Sequence, residues 1–182
     1  MKTRSIRYAS LAITQVLSVA AVTLTAPSTP AAAAGFDWTS PPRQPRSSVV
    51  YVEEHVGARF DSALRSSITF VDRYTGSDMR LGRCRTGYRC IRVVESNATR
   101  GHGGWTTSTA GRATSEIRLS ATLARKNWNT RRSIIDHELG HANGARHNPK
   151  CTSRMWPDYR CRNGRLPART FTRAERAVLA TW

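Results

Sequence analysis

Acidic residues and lysine are scarce in this chain of 182 residues. It has 12 Asp and Glu against 29 Lys and Arg, only three of the basic residues are Lys, and the formal net charge is +17. This charge predicts a solvated basic surface that makes non-specific contact with anionic surfaces or acidic substrates. The sequence has no nucleic-acid-binding motif, and its arginines do not cluster with aromatic residues. We therefore expect no specific nucleic-acid partner.

Long hydrophobic runs are also absent, apart from one near the N-terminus. Residues 11–24 are mostly apolar, follow the basic residues Lys2, Arg4 and Arg7, and precede Ala32-Ala33-Ala34, which is the pattern of a cleaved signal peptide. The run is too short, and too often interrupted by Thr and Ser, to span a membrane well. The sequence thus predicts a signal peptide over residues 1–34 and a secreted, extracellular mature chain of 148 residues that forms one domain.

Only four cysteines are present, and none of them forms a C-x-x-C pair, which argues against a cysteine-rich zinc site. In an exported chain, four cysteines indicate two disulfides, for which three pairings exist. Local spacing favours Cys84 with Cys90 and Cys151 with Cys161.

Histidine is also infrequent, but three of the five histidines fall within residues 137–147, which read H-E-x-x-H-x-x-G-x-x-H. On a helix, His137 and His141 lie one turn apart on the same face, so both imidazoles can bind one ion. Gly144 can adopt the left-handed conformation that ends a helix and brings His147 back as a third ligand.

Three protein nitrogens leave the fourth position of a tetrahedral zinc ion open to water, which is the catalytic rather than the structural arrangement. Glu138 is rotated from the histidines by about 100°. Its carboxylate therefore lies beside the metal without binding it, where it can act as the general base that takes a proton from the attacking water. The competing interpretation is a surface helix that carries histidines by chance.

These residues resemble the active site of the metzincin zinc endopeptidases, in which the same motif is followed by a methionine turn. Met155 is the only methionine after the motif, so the resemblance assigns it to that turn as an apolar base beneath the metal. The Cys151–Cys161 disulfide would brace this loop. The short chain and the cysteine before the turn are most similar to the small secreted snapalysin-type proteases, although those usually have Asp where this chain has His147.

Two further features bear on regulation and catalysis. The family's tyrosine two residues after the methionine is replaced by Pro157, and Tyr159 is a candidate to assist the oxyanion. Residues 35–48 are rich in Pro, Ser and Arg and are interpreted as an extended arm or short pro-segment, in which Asp37 could cap the metal.

The glycine-rich stretch of residues 101–104 is predicted to be a flexible loop, and His102 within it is interpreted as an exposed loop residue.

The resemblance implies an α+β fold for residues 49–182: a twisted mixed sheet, a long backing helix, an active-site helix and a small C-terminal subdomain that ends in a helix. The pattern of residues agrees, with strands over 49–52, 79–81, 90–94 and 116–119, an edge strand over 105–114 and a helix over 59–74. Asn127 or Asn129 is expected to cap the active-site helix, and Thr172 begins a capping box. The last helix is predicted to bury a stripe of Ala174, Ala177, Val178 and Trp182.

The sequence therefore predicts a secreted, monomeric zinc endopeptidase that acts on proteins or peptides and holds one catalytic zinc ion. Structural calcium is not indicated, and no membrane span is expected. The alternative function is a secreted basic protein that binds zinc without proteolytic activity, but an intact Glu138 argues against it because a structural site does not need that carboxylate.

Overall fold

A five-stranded mixed sheet forms the centre of the fold in the computed structural model, which describes residues 49–97, 99, 102–108, 113–158, 160–161, 163–167 and 169–181. The strands lie in the order β2-β1-β3-β5-β4. Strands β2, β1, β3 and β5 are parallel to one another, and β4 pairs with β5 in the antiparallel direction at the edge. The predicted signal peptide, Asp37, Tyr159 and Trp182 lie outside the described residues.

The elements follow the chain in a simple order. The strands are β1 (Val49–His55), β2 (Asp78–Leu81), β3 (Arg89–Ser96), β4 (Gly104–Ser108) and β5 (Thr114–Ser120). The helices are α1 (Asp61–Asp72), α2 (Trp128–Ala142) and α3 (Arg173–Leu179), with a short 3-10 helix at Leu123–Arg125. The predicted α+β fold, with its mixed sheet, backing helix and active-site helix, is confirmed.

The core lies between the sheet and the two longer helices, which contact each other along their lengths. β1 begins with β-branched and aromatic residues, of which Val50, Tyr51 and Val52 are buried, as expected of a parallel strand covered on both faces. In α2, the predicted core residues are all buried: Ile134, Ile135, Leu139 and Ala142. Burial of this face holds α2 against β4 and β5, where the candidate site lies.

The residues that cap the N-termini of α2 and α3 agree with the sequence prediction. The side chain of Asn127 accepts a hydrogen bond from the N–H of Thr130 (2.9 Å), so Asn127 is the N-cap of α2. Thr172 and Glu175 form the predicted capping box of α3. Both predicted disulfides are present, with Cα–Cα distances of 5.4 Å for Cys84–Cys90 and 5.7 Å for Cys151–Cys161. None of the described helices is both long and apolar enough to cross a membrane.

Two predictions about the elements are wrong. The edge strand ends at Ser108, and Thr114 already belongs to β5. The predicted apolar stripe on α3 is not buried: Ala174, Ala177 and Val178 are exposed, whereas Glu175 and Leu179 face inward. Glu175 takes the buried position because its carboxylate accepts hydrogen bonds from the loop beneath the helix, including one from Asn148 Nδ2 (2.8 Å).

Candidate metal centre

Helix α2 and the loop after it bring together the three histidines that the sequence predicts as metal ligands. The Nε2 atoms of His137 and His141 lie 3.0 Å apart, and Nε2 of His147 lies 3.3 Å from the first and 3.1 Å from the second. Another group of potential ligand atoms in the described part of the chain, around Glu53, contains Cys84 and Cys90. Because both cysteines form a disulfide, they do not offer thiolates.

Gly144 makes the turn that returns His147 to the helix. Its φ angle is +89°, in the left-handed region where a residue without a Cβ avoids steric strain. The N–H of Gly144 donates to the carbonyl of His141 (2.9 Å), and the N–H of Ala145 donates to the carbonyl of Gly140 (2.9 Å). These bonds satisfy the last carbonyls of α2, as a left-handed C-terminal glycine is expected to do.

Main-chain carbonyls orient two of the imidazole rings. Nδ1 of His137 lies 3.1 Å from the carbonyl oxygen of Arg154, and Nδ1 of His141 lies 2.8 Å from that of Ala145. A carbonyl oxygen can only accept, so each Nδ1 carries the proton and donates it. The two Nε2 atoms therefore direct lone pairs into the same small space, which is an arrangement that a cation stabilises.

The donor set fits a zinc ion. Tetrahedral Zn–N bonds of about 2.0–2.1 Å separate the nitrogen atoms by about 3.3 Å, and the observed separations are 3.0, 3.1 and 3.3 Å. Burial lowers the pKa of His137 to about 3 and also lowers the pKa of His141 and of His147. All three imidazoles are thus neutral near pH 7, as metal ligation requires.

Glu138 lines the same cleft and is held by the edge strand β4. Oγ1 of Thr106 donates a hydrogen bond to Oε2 of Glu138 (2.5 Å). A Cβ on Gly104 would lie 2.7 Å from Cγ of Glu138, so only glycine allows this approach. Burial raises the pKa of Glu138 to about 7, in the range suited to exchanging protons near neutral pH.

Sequence reasoning missed this strand support. It predicts a flexible loop over residues 101–104, but Gly104 begins β4 and the carbonyl of Gly103 accepts a hydrogen bond from the N–H of Ser120 (2.9 Å). A Cβ on Gly103 would lie 2.5 Å from Cδ1 of Ile134. The paired glycines were a detectable signal, since a glycine next to a strand often marks the close approach of another element.

Met155 is fully buried against helix α2. A Cβ on Gly140, which lies between Leu139 and the candidate ligand His141, would be 2.6 Å from Sδ of Met155. The Cys151–Cys161 disulfide spans the loop that carries Met155, as predicted. Gly140 was not recognised from the sequence, although a glycine inside a helix usually has a packing reason because it costs about 1 kcal/mol relative to alanine.

A buried ion pair fixes the carbonyl that orients His137. Nη2 of Arg154 lies 3.3 Å from Oδ2 of Asp136, and Nη1 of Arg154 donates to Oγ of Ser133 (2.6 Å). Asp136 is fully buried, and this desolvation raises its pKa to about 6. Asp136 and Asn148 are chain neighbours of His137 and His147. Asp136 forms an ion pair with Arg154, and Asn148 donates a hydrogen bond to Glu175.

A second buried arginine holds the C-terminal end of α2. Arg89, on the central strand β3, is only 2% exposed and donates from Nη1 to Oδ1 of Asn143 (3.0 Å) and from Nη2 to the carbonyl of Ala142. Its cationic side chain thus meets the partial negative charge at the end of the helix. Burial lowers the pKa of Arg89 to about 10, so the side chain stays protonated near neutral pH.

The histidines and Glu138 open into a cavity of about 200 Å³. Its walls come from the start of β4, from α2 and from the loop after Met155, and include His102, Trp105, Ile134, Trp156, Pro157 and Asp158. His102 is half-buried rather than exposed, with its ring centroid 6.3 Å from that of Trp105. The lining therefore includes apolar side chains from three segments: Trp105 of β4, Ile134 of α2, and Trp156 and Pro157 of the loop after Met155.

The solved structures that resemble the chain include two zinc-protease-related examples. One is an archaemetzincin from Methanopyrus kandleri, with 16% identity, a TM-score of 0.47, and coverage of 74% of this chain and 96% of the other. The second is high choriolytic enzyme 1, a hatching-enzyme zinc protease from the medaka Oryzias latipes, with 19% identity, a TM-score of 0.40, and coverage of 63% of this chain and 54% of the other. A search of curated proteins gave no match.

A family model gives the decisive comparison. The model described as the dual-action HEIGH metallo-peptidase matches residues 53–153, which is more than half of the chain. The matched region runs from β1 through α2, contains all three histidines and Glu138, and ends within the loop before Met155. The chain belongs to the dual-action HEIGH metallo-peptidase family.

Proposed function

We propose that the protein is a secreted zinc-dependent endopeptidase of the metzincin type in which Glu138 is the general base. The observation that carries this proposal is the convergence of three Nε2 atoms within 3.0–3.3 Å of one another, in a cleft that also contains a buried carboxylate. The residues that would hold one zinc ion are His137, His141 and His147. The ion would act as a Lewis acid that polarises the scissile carbonyl and acidifies water.

Glu138 moves the proton in this mechanism. Its carboxylate takes a proton from the attacking water and passes it to the nitrogen of the departing amine, which breaks the peptide bond and leaves Glu138 ready for another cycle. The hydrogen bond from Thr106 holds the carboxylate in one orientation. Met155 would support the ligands from below without binding the metal, since its Sδ packs against Gly140.

The edge strand gives a place for an extended substrate. Among the described strands, β4 pairs with β5 alone, and Gly104, Trp105 and Thr106 of β4 line the cleft. We propose that a peptide substrate adds to this edge by main-chain hydrogen bonds, which align its scissile bond with Glu138. Such recognition accepts many sequences, as a protein-degrading enzyme requires.

Secretion and subfamily are part of the same proposal. Two disulfides suit an oxidising compartment, in agreement with the signal-peptide pattern over residues 1–34. Within the metzincins, the short chain and the disulfide beside Met155 favour the small snapalysin-type proteases, with His147 in place of their usual Asp.

The test is casein hydrolysis by the purified protein, together with metal analysis. We expect about one equivalent of zinc and cleavage that a chelator abolishes. Glu138→Gln should retain zinc and reduce the cleavage rate by about 10²–10⁴-fold, whereas His141→Ala should lose both zinc and activity. Zinc without any cleavage would favour the alternative of a zinc-containing binding protein, and full activity of Glu138→Gln would refute the assignment of the general base.

A further inference from the structure

Away from the metal centre, a shallow hollow lies where α1 meets α2. Its lining combines three arginines, two hydroxyl-bearing residues and one aromatic ring: Arg65, Arg73, Arg132, Ser66, Thr69 and Phe70. None of these residues is acidic, and neither Arg65 nor Arg73 lies in the cleft that contains the histidines. The proposed peptidase mechanism does not use this hollow.

Helical spacing aligns the basic residues of α1. Arg65, Thr69 and Arg73 follow one another at intervals of four residues, which place them on one face. Eight residues of helix extend about 12 Å along the axis. Arg65 and Arg73 are both exposed, and the span between their Cα positions along the helix is too long for one small anion.

Arg132 of α2 contributes a third guanidinium in a fixed position. Its Cζ atom lies 5.3 Å from the ring centroid of Phe70 and 5.3 Å from that of Trp128, which is 37% exposed. Its Nε atom is 3.8 Å from Oδ2 of the buried Asp136, and it has no hydrogen-bond partner among the described residues. Two aromatic rings thus orient this guanidinium, and the Arg132 side chain as a whole is 29% exposed.

Carboxylates near these arginines reduce the positive charge but do not line the hollow: Glu54 and Asp61 near Arg65, Asp72 next to Arg73 in the chain, and Asp136 beside Arg132. Glu54 is close enough for the charge of Arg65 to lower its pKa, although burial raises the pKa of Glu54 more. Asp136 is fully buried and also pairs with Arg154 at 3.3 Å. Guanidinium groups match phosphate oxygens in a bidentate geometry that a lysine ammonium does not offer.

We propose that this hollow binds a linear phosphate polyanion, with successive phosphate groups along the row from Arg65 to Arg73 and one beside Arg132. A polymer is favoured over a single anion because the arginines are spread along about two turns of helix. Binding there would hold the peptidase on a phosphate-bearing polymer while its cleft stays open on another part of the surface.

The test is calorimetric titration of the full chain with inorganic polyphosphate at several salt concentrations. Each phosphate contact that is lost reduces the slope of log K against log salt by about one. For Arg65→Ser/Arg73→Ser, we expect the slope to fall by about two and the affinity to fall at least tenfold. Arg83→Ser/Arg165→Ser is the matched control, since it removes the same charge from exposed positions outside the hollow, and its slope should not change.

A third variant separates geometry from charge. Arg65→Lys/Arg73→Lys keeps the net charge but loses bidentate contacts, so its affinity should lie between those of the wild type and the serine variant. Equal losses in the serine variant and its control would overturn the proposal in favour of general charge attraction, as would the absence of polyphosphate binding by the wild type. Cleavage of a short uncharged peptide should be unchanged in all variants, so this test stands apart from the peptidase assignment.

Discussion

Gly140 and Met155 are in such close contact that no side chain fits between them: a Cβ on Gly140 would lie 2.6 Å from Sδ of Met155 and 3.1 Å from Cε1 of Phe171. Gly140 directly precedes the ligand His141, and Met155 directly follows Arg154, whose carbonyl orients His137. The contact therefore sets how closely the loop approaches the helix that carries two of the three histidines.

Gly140→Ala should destabilise the protein although alanine is the better helix former. Alanine would gain about 1 kcal/mol of helix propensity, but overpacking typically costs about 1–3 kcal/mol and would displace the loop. We expect a net loss of about 1 kcal/mol in the free energy of unfolding, measured by denaturant titration, together with weaker zinc binding. Gly57→Ala is the control, because its Cβ would make only an ordinary contact at 3.5 Å. Unchanged zinc affinity in Gly140→Ala would contradict this account.

Thr106→Val should lower the cleavage rate without removing the metal. It deletes the 2.5 Å hydrogen bond to Glu138, and hydrogen bonds to charged groups contribute about 1.5–3 kcal/mol, so we expect kcat to fall about tenfold or more. Thr107 is the neighbouring residue of β4, is exposed and points to the opposite face. Thr107→Val should therefore leave kcat nearly unchanged, and equal effects of the two substitutions would argue against a role for the Thr106 hydroxyl.

Asp136→Asn should strongly destabilise the fold and weaken zinc binding. It leaves the guanidinium of Arg154, which is 5% exposed, without its carboxylate, and breaking a buried ion pair costs about 3–5 kcal/mol. It also frees the carbonyl that orients His137, for which we expect a loss of about 10–100-fold in metal affinity. Unfolding curves and zinc competition measure the two effects.

The exposed pair Asp78 and Arg80 provides the control for this experiment. Both side chains are about half exposed, so Asp78→Asn should leave the free energy of unfolding nearly unchanged. The double variant Asp136→Asn/Arg154→Met should recover part of the stability lost in Asp136→Asn, because the unpaired buried charge is gone. A double variant less stable than Asp136→Asn would show that the pair does not act as a unit.

Removal of the metal should lower the thermal stability of the protein. In its absence, neutral imidazole nitrogens face one another at 3.0–3.3 Å without a cation. A ligand present at about 100 times its dissociation constant stabilises the native state by about 2.7 kcal/mol. A chelator should therefore lower Tm by several degrees, and added zinc should restore it. His141→Ala should show no response to the chelator, and a response equal to that of the wild type would place the metal elsewhere.

Several predictions that depended on residues close together in the chain are confirmed. The helical placement of His137 and His141, the left-handed Gly144, the caps at Asn127 and Thr172 and the two short-range disulfides all follow from local geometry. Steric limits on φ and ψ, hydrogen bonds at helix ends and spacing along a helix act over a few residues, so one sequence contains them fully.

The stripe predicted for α3 shows where local reasoning ends. Its periodicity selected Ala174, Ala177 and Val178, yet Glu175 is buried because Asn148 and other donors reach it from a distant loop. A charged residue that finds several hydrogen-bond donors can occupy an interior position that periodicity assigns to apolar residues.

The sequence by itself thus determined the class of fold, and it predicted the three histidines and Glu138 of the candidate metal centre. Only the tertiary structure decided which contacts hold these residues in place. Thr106 donates a hydrogen bond to Glu138, 32 positions away, and Arg89 donates one to Asn143, 54 positions away, while Met155 packs against Gly140. It also decided that Arg132 lies beside Phe70, in the basic hollow of α1 and α2. These contacts join segments far apart in the chain, and their formation depends on how the whole core packs rather than on any local pattern.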